Sequence, residues 1–95
     1  MIDRNKVEEN LKNWLGNPSW REYYETAPSE KCREFIEMEL YYSECGEEEA
    51  GEEMDRIEAE LKIPDLRHLM NYAGNNPRKG YLARKIREKE AKGEE

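Results

Sequence analysis

The chain has 95 residues, of which 36% are hydrophobic and 41% charged, and its formal net charge is −7. That length fits one domain with one hydrophobic core, and no apolar run approaches the roughly 20 residues that a membrane span requires. Charged residues follow Met1 and Ile2 where a signal peptide would be apolar, so we expect a soluble, cytoplasmic protein without membrane contact.

The first two predicted helices are short. The first has an apolar stripe at helical spacing, formed by Val7, Leu11, Trp14 and Leu15. Asp3 is placed to cap its start and Gly16 to end it. The second helix carries Trp20, Tyr23 and Tyr24, and either Asn17 followed by Pro18, or Ser19, serves as its cap. We expect Trp14 to lie in the core, because it completes the stripe of its helix.

The third predicted helix runs from Glu30 to about Cys45, between a Ser29 cap and a Gly46 stop. At 100° per residue, one arc of this helix holds Cys32, Phe35, Ile36, Leu40 and Tyr42. Glu39 falls inside that arc and Ser43 lies nearly beneath it, so both are candidate buried polar residues. A buried carboxylate needs a partner, and we expect a tyrosine hydroxyl, an indole N–H or an arginine rather than a catalytic role.

Tyr41 lies about 180° from Cys32 on the same helix, among glutamates. A single buried face would leave this side of the helix in solvent. We therefore predict that Tyr41 is an exposed contact residue.

Residues 30–60 contain thirteen acidic and three basic residues, a net charge of −10. The fourth predicted helix, from about residue 47 to 61, has one narrow apolar stripe formed by Ala50, Met54, Ile57 and Leu61. Two glycines leave a looser loop over residues 47–53 as an alternative. This acidity is typical of a solvated helix surface that needs no partner. The functional alternative is a surface that imitates DNA phosphates toward a nucleic-acid-binding protein, or that docks a basic protein surface. Tyr41, Glu47, Glu48 and Glu52 are the candidate interaction residues.

The fifth predicted helix begins at Pro64 and ends before Gly74, with a stripe formed by Leu66, Leu69, Met70 and Ala73. His68 lies nearly opposite this stripe, so we expect it in solvent. A sixth helix follows Asn76 and Pro77 and carries Tyr81, Leu82 and Ile86. Residues 65–92 thus have the order of a helix-turn-helix, with a basic last helix. Its candidate nucleic-acid contacts are Arg78, Lys79, Arg84 and Lys85.

No catalytic or metal-binding pattern is present in the sequence. Cys32 and Cys45 would lie about 20 Å apart on one helix, too far for a disulfide, and one histidine without a C-x-x-C pair does not make a zinc site. We therefore predict no enzyme activity, no metal and no cofactor.

These patterns predict an all-α domain of five to six short helices in an orthogonal or irregular bundle over residues 1–86. A frayed, charged tail is expected over residues 87–95. The leading interpretation is a protein–protein interaction module or inhibitor that uses the acidic surface of residues 30–60. Its partner would be a protein with a basic surface or a second copy of the chain. Nucleic-acid binding through residues 65–92 is the alternative, and the net negative charge disfavours it.

Overall fold

A computed structural model describes residues 2–73 and 78–93 of the chain. These residues form six α-helices and no strand, so the predicted all-α class is confirmed. The helices are α1 (Arg4–Trp14), α2 (Pro18–Glu25), α3 (Glu30–Cys45), α4 (Glu48–Glu60), α5 (Ile63–Asn71) and α6 (Arg78–Ala91). None of them is long and apolar enough to cross a membrane.

Local capping signals define the starts of the first three helices. The Asp3 carboxylate accepts hydrogen bonds from the backbone N–H groups of Asn5 and Lys6, which satisfies the first turn of α1. Asn17 caps α2 by accepting the Ser19 N–H at 2.9 Å, so the cap is Asn17 rather than Ser19. Ser29 caps α3 through the Cys32 N–H at 3.2 Å.

The contacts of the chain divide into two compact units, Met1–Glu60 and Leu61–Glu95. The predicted single domain over residues 1–86 stays a prediction.

Helix α3 is the centre of the first unit, because α1, α2 and α4 all pack against it. Its buried residues point in nearly every direction around the helix axis: they are Cys32, Phe35, Ile36, Met38, Leu40 and Tyr41. The other three helices contribute fewer buried side chains, namely Val7 from α1, Tyr23 from α2, and Ala50 and Ile57 from α4. The core is thus built around one helix that is covered on several sides.

Two glycines shape the junction of α3 and α4. Gly46 ends α3 in the left-handed conformation, with φ of 64°, where its N–H reaches the Tyr42 carbonyl. Gly51 lies inside α4 beneath the Tyr42 ring, and a Cβ atom there would be 3.2 Å from a Tyr42 ring carbon. The alternative of a loop over residues 47–53 is wrong, since α4 begins at Glu48.

The second unit contains α5 and α6, which pack against each other. Pro64 lies in the first turn of α5, and the Asp65 carboxylate accepts the Lys62 N–H at 3.0 Å. Leu66 and Leu69 of α5 and Leu82 and Ile86 of α6 are buried. The predicted stop at Gly74 and the predicted start at Asn76 and Pro77 lie outside the described residues.

The expected exposure of His68 is wrong. Only 9% of this side chain is exposed, and its ring centroid lies 5.0 Å from that of Tyr72. The buried part of α5 is wider than the leucine stripe, since Ile63 and Asp65 at its borders are also buried. A single apolar stripe therefore underestimates how much of this helix is covered.

Helix α6 continues five residues past Ile86, to Ala91. Near its end, Glu90 pairs with Arg67 of α5 at 3.2 Å. The expected fraying of residues 87–95 stays a prediction, and residues 94–95 lie outside the described part of the chain.

Candidate interaction surface

Tyr41 is buried, contrary to its predicted exposure, with 2% of its surface accessible. Its hydroxyl donates a hydrogen bond to the Glu47 carboxylate and accepts the Asp3 N–H at 3.2 Å. The prediction failed because α3 has neighbours on both sides, whereas the sequence pattern was interpreted with one buried face. Tyr41 therefore ties the start of α1 to the α3–α4 junction and presents no contact surface.

The ionisation of this pair reflects their hydrogen bond. The Tyr41 hydroxyl lowers the pKa of Glu47 below its ordinary value. For Tyr41, the Asp3 N–H lowers the pKa, but the Glu47 carboxylate and burial together outweigh it and raise the pKa. Glu47 is half-buried and engaged in this contact. Among the predicted interaction residues, Glu48 and Glu52 are thus the exposed ones.

Glu48 and Glu52 share one line along the outer side of α4 with two further residues. Glu48, Glu52, Asp55 and Ala59 follow i, i+4, i+7, i+11 spacing, opposite buried Ala50 and Ile57. All four are exposed, and we call this line the acidic ridge. The sequence reasoning missed Asp55, although the same helical spacing would have found it.

The carboxylates of the acidic ridge have no salt-bridge partner among the described residues. Four other acids of residues 30–60 form salt bridges with the three basic residues of the segment. Lys31 lies 3.1 Å from Glu60 and 3.3 Å from Glu34, while Arg33 pairs with Glu30. Arg56 pairs with Glu53 and lowers the pKa of that carboxyl. Glu48, Glu52 and Asp55 are therefore exposed carboxylates whose charge no salt bridge within the described part of the chain compensates.

Glu39 is half-buried and accepts the Tyr23 hydroxyl at 3.2 Å. This is one of the structural partners expected for a carboxylate that faces the core. The expected burial of Ser43 is wrong, because its side chain is exposed. Tyr42, also placed in the core arc, is 42% exposed. It lies near the end of α3, and its ring contacts Gly51 of α4.

Replacing Glu39 with glutamine should lower the free energy of unfolding by about 1 kcal/mol, because hydrogen bonds to charged groups are stronger than neutral ones. Glu48→Gln is the control and should change it by less than about 0.5 kcal/mol, since Glu48 is exposed. Urea denaturation monitored by circular dichroism measures both. Equal, negligible effects would show that the Tyr23–Glu39 contact does not stabilise the fold.

A second tyrosine–glutamate contact joins α2 to α3. The Tyr24 hydroxyl donates to the Glu37 carboxylate at 2.9 Å. Burial and this hydrogen bond raise the pKa of Tyr24 to about 12. Three tyrosines thus anchor the acidic segment through their hydroxyls, and the segment is acidic partly because its glutamates are acceptors within the fold.

The four predicted nucleic-acid contacts on α6 do not share one surface. Arg78 and Lys85 are half-buried on one side of the helix, whereas Lys79 and Arg84 are exposed and about 140° apart. Lys85 also lies 5.5 Å from the centroid of the Tyr81 ring and 3.9 Å from Glu88. The turn of the predicted helix-turn-helix, residues 74–77, lies outside the described residues.

A different set of residues forms one line on the outer side of α6. Gly80, Arg84, Arg87 and Ala91 are exposed and follow i, i+4, i+7, i+11 spacing. Together with Glu88 they line an open depression of about 550 Å³. We call this line the basic face. Neither arginine makes an ion pair with a residue in the described part of the chain.

The described residues contain no group of three His, Cys, Asp or Glu side chains that could hold a metal ion. Cys32 is buried, Cys45 is exposed, and both are free thiols. Comparisons with protein-family models, curated proteins and solved structures found no match to this chain. The function is therefore proposed from the geometry of the chain itself.

Proposed function

We propose that this protein is a protein-binding module whose acidic ridge docks a basic protein surface. The observation that carries the proposal is the line of three exposed, unpaired carboxylates on α4, Glu48, Glu52 and Asp55. Solvated glutamates need no partner, but a row of one sign creates a local potential that attracts the opposite charge and raises association rates. The same potential repels the phosphates of nucleic acids.

The spacing of the ridge favours a helical partner. Glu52 and Asp55 are three residues apart, about 4.5 Å along the axis of α4. Arg84 and Arg87 of the basic face have the same separation on α6. A second copy of the chain therefore offers a surface that complements the ridge in charge and spacing. We propose self-association through these two surfaces, in a reducing compartment such as the cytoplasm, which suits the two free thiols.

Sedimentation velocity at two salt concentrations tests the proposal. The chain should self-associate near 0.05 M salt, and raising the salt to about 0.5 M should weaken the association at least roughly tenfold, because exposed charges are screened. Self-association should be lost in the ridge variant, which carries Glu48→Gln, Glu52→Gln and Asp55→Asn. The control variant Glu8→Gln, Glu9→Gln, Glu25→Gln removes the same charge from exposed positions on α1 and α2 and should retain it.

A complementation experiment separates specific docking from a general charge effect. Arg84→Gln with Arg87→Gln should also abolish self-association, because it removes the basic face. A mixture of this variant with the ridge variant should associate one to one, since each then supplies one intact surface. If the ridge variant and the Glu8, Glu9, Glu25 control variant self-associate to the same extent, the ridge is not the binding surface.

A basic partner other than the chain itself is tested by fluorescence anisotropy with a labelled helical peptide that carries arginine at i, i+3 and i+7. If the protein binds this peptide but does not self-associate, the acidic ridge is still a docking surface, but its partner is not a second copy of the chain. Salt-sensitive binding of duplex DNA below about 1 μM, weakened by Arg78→Ala with Lys79→Ala, would instead support the nucleic-acid alternative.

A further inference from the structure

An open depression of about 340 Å³ lies in the first unit, where α1 ends and near the last turn of α3. It is lined by Asn13, Trp14, Asn17 and Glu44. This volume is within the range of small-molecule and side-chain sites. None of its residues belongs to the acidic ridge, so binding in this depression is independent of the ridge.

The indole of Trp14 is held in place by contacts on two sides. Its Nε1–H donates to Oε1 of Glu44 at 3.2 Å. Its ring meets Trp20 edge to face at a centroid distance of 4.9 Å, and Trp20 meets Tyr23 at 5.7 Å. Tyr23 is buried and donates to Glu39. The half-buried Trp14 ring is therefore preorganised by a series of contacts that ends in the core.

The chemistry of the lining is complementary to a cation. The Glu44 carboxylate is exposed and makes no ion pair with a described residue. The side-chain amides of Asn13 and Asn17 add carbonyl oxygens, of which that of Asn17 already accepts the Ser19 N–H. No lysine or arginine lines the depression. It thus presents an aromatic ring, a carboxylate and amide acceptors without a positive charge of its own.

We infer that this depression binds the guanidinium group of an arginine side chain from a protein partner. A guanidinium is planar, so it stacks on an indole ring, and it has five N–H donors and no acceptor. Glu44 keeps lone pairs free while it accepts the Trp14 N–H, because a carboxylate accepts about four hydrogen bonds. A lysine ammonium lacks the planar group that an indole ring favours, and arginine is the better fit.

The test uses ¹⁵N-labelled full-length protein and N-acetyl-arginine amide, with the two tryptophan indole N–H signals as reporters. Trp14→Phe assigns the signals. The Trp14 signal should shift with a saturable dependence in the tens of millimolar range, whereas the Trp20 signal should shift less. N-acetyl-citrulline amide, the neutral isostere, should have no saturable effect. Glu44→Gln should weaken binding roughly threefold or more, while Glu34→Gln, an exposed control on the same helix, should not.

A titration with free L-arginine tests whether the guanidinium comes from a protein side chain or from the free amino acid. Its α-carboxylate and α-ammonium carry opposite charges that largely cancel near Glu44, so it should bind no better than the blocked amide. Preference for free arginine would overturn the assignment to a protein partner. Equal binding of arginine and citrulline amides, or equal affinity in the Glu44→Gln protein, would overturn the site. The ridge variant should bind the arginine amide as the wild type does, so this result is separable from the fate of the acidic ridge.

Discussion

Replacing Phe35 with alanine should lower the free energy of unfolding by about 3–5 kcal/mol. Phe35 is 1% exposed, on the helix against which α1, α2 and α4 all pack. Its removal eliminates buried apolar area and leaves a cavity that the surrounding helices fill only in part. A chain of this size typically unfolds with about 5–15 kcal/mol, so the variant should be marginal or unfolded at room temperature.

Equilibrium denaturation in urea, monitored by far-ultraviolet circular dichroism, measures this change. Leu11→Ala is the matched control, because Leu11 belongs to the predicted stripe of α1 but remains half-buried. Leu11→Ala should lower the free energy of unfolding by less than about 2 kcal/mol. A Phe35→Ala protein as stable as the Leu11→Ala protein would contradict the central position of α3.

Tyr41→Phe should lower the melting temperature by roughly 5 °C or more, although the substitution removes one oxygen atom. Without the hydroxyl, the Glu47 carboxylate loses the Tyr41 O–H as a donor and the Asp3 N–H loses the Tyr41 oxygen as an acceptor. A polar group that loses a hydrogen bond in partly buried surroundings is not fully compensated by water, so the loss lowers stability. Tyr42→Phe is the control, because Tyr42 is 42% exposed and its hydroxyl should matter little.

The stabilisation from Tyr41 and Glu47 should depend on pH in a defined way. The pKa of Glu47 is lowered in the folded protein, so its contribution is present above the pKa of an unfolded glutamate and is lost as the pH falls. The pKa of Tyr41 is raised, so its contribution is present below about pH 10 and is lost as the pH rises. The difference between wild type and Tyr41→Phe should therefore be largest from about pH 5 to about pH 10.

A double-mutant cycle with Glu47→Gln assigns the effect to the contact itself. The double variant should melt at a temperature close to that of Tyr41→Phe, because the two side chains act as a pair. Fully additive shifts at neutral pH would show that Tyr41 and Glu47 stabilise the protein independently.

Much of the helical framework could be predicted from local signals. Caps at Asp3 and Ser29 and the stop at Gly46 depend on residues within one turn, and the structure has all three. The stripe of α4 was also predicted correctly at Ala50 and Ile57. These features need no knowledge of tertiary packing, since helix termini and amphipathic faces are specified by neighbours in the chain.

The errors concern side chains whose surroundings depend on how many neighbours a helix has. Tyr41 and His68 were placed in solvent because each lies opposite an apolar stripe, and both are buried. Ser43 was placed in the core and is exposed, because it lies near the end of α3. A helical projection gives directions around an axis, but only tertiary packing determines which directions are covered.

The acidic ridge was predictable only in part, because helical spacing is local but ion pairing between helices depends on packing. Glu48 and Glu52 were identified from charge and helical spacing, and that spacing also includes Asp55. The pairing of Arg56 with Glu53 is a local i, i+3 contact. The pairing of Lys31 with Glu60 joins two helices, and no sequence pattern indicates it. Which carboxylates remain unpaired is therefore a property of the folded chain.

The order of helix packing has a consequence for the speed of folding. Helices α1, α2 and α4 are within two elements of α3 along the chain, and α5 packs on its successor α6. Chains whose contacts join nearby segments close short loops and cross low entropic barriers. Molecules whose prolines are already trans should therefore fold within milliseconds, which leaves little time for partly folded, exposed core segments to aggregate.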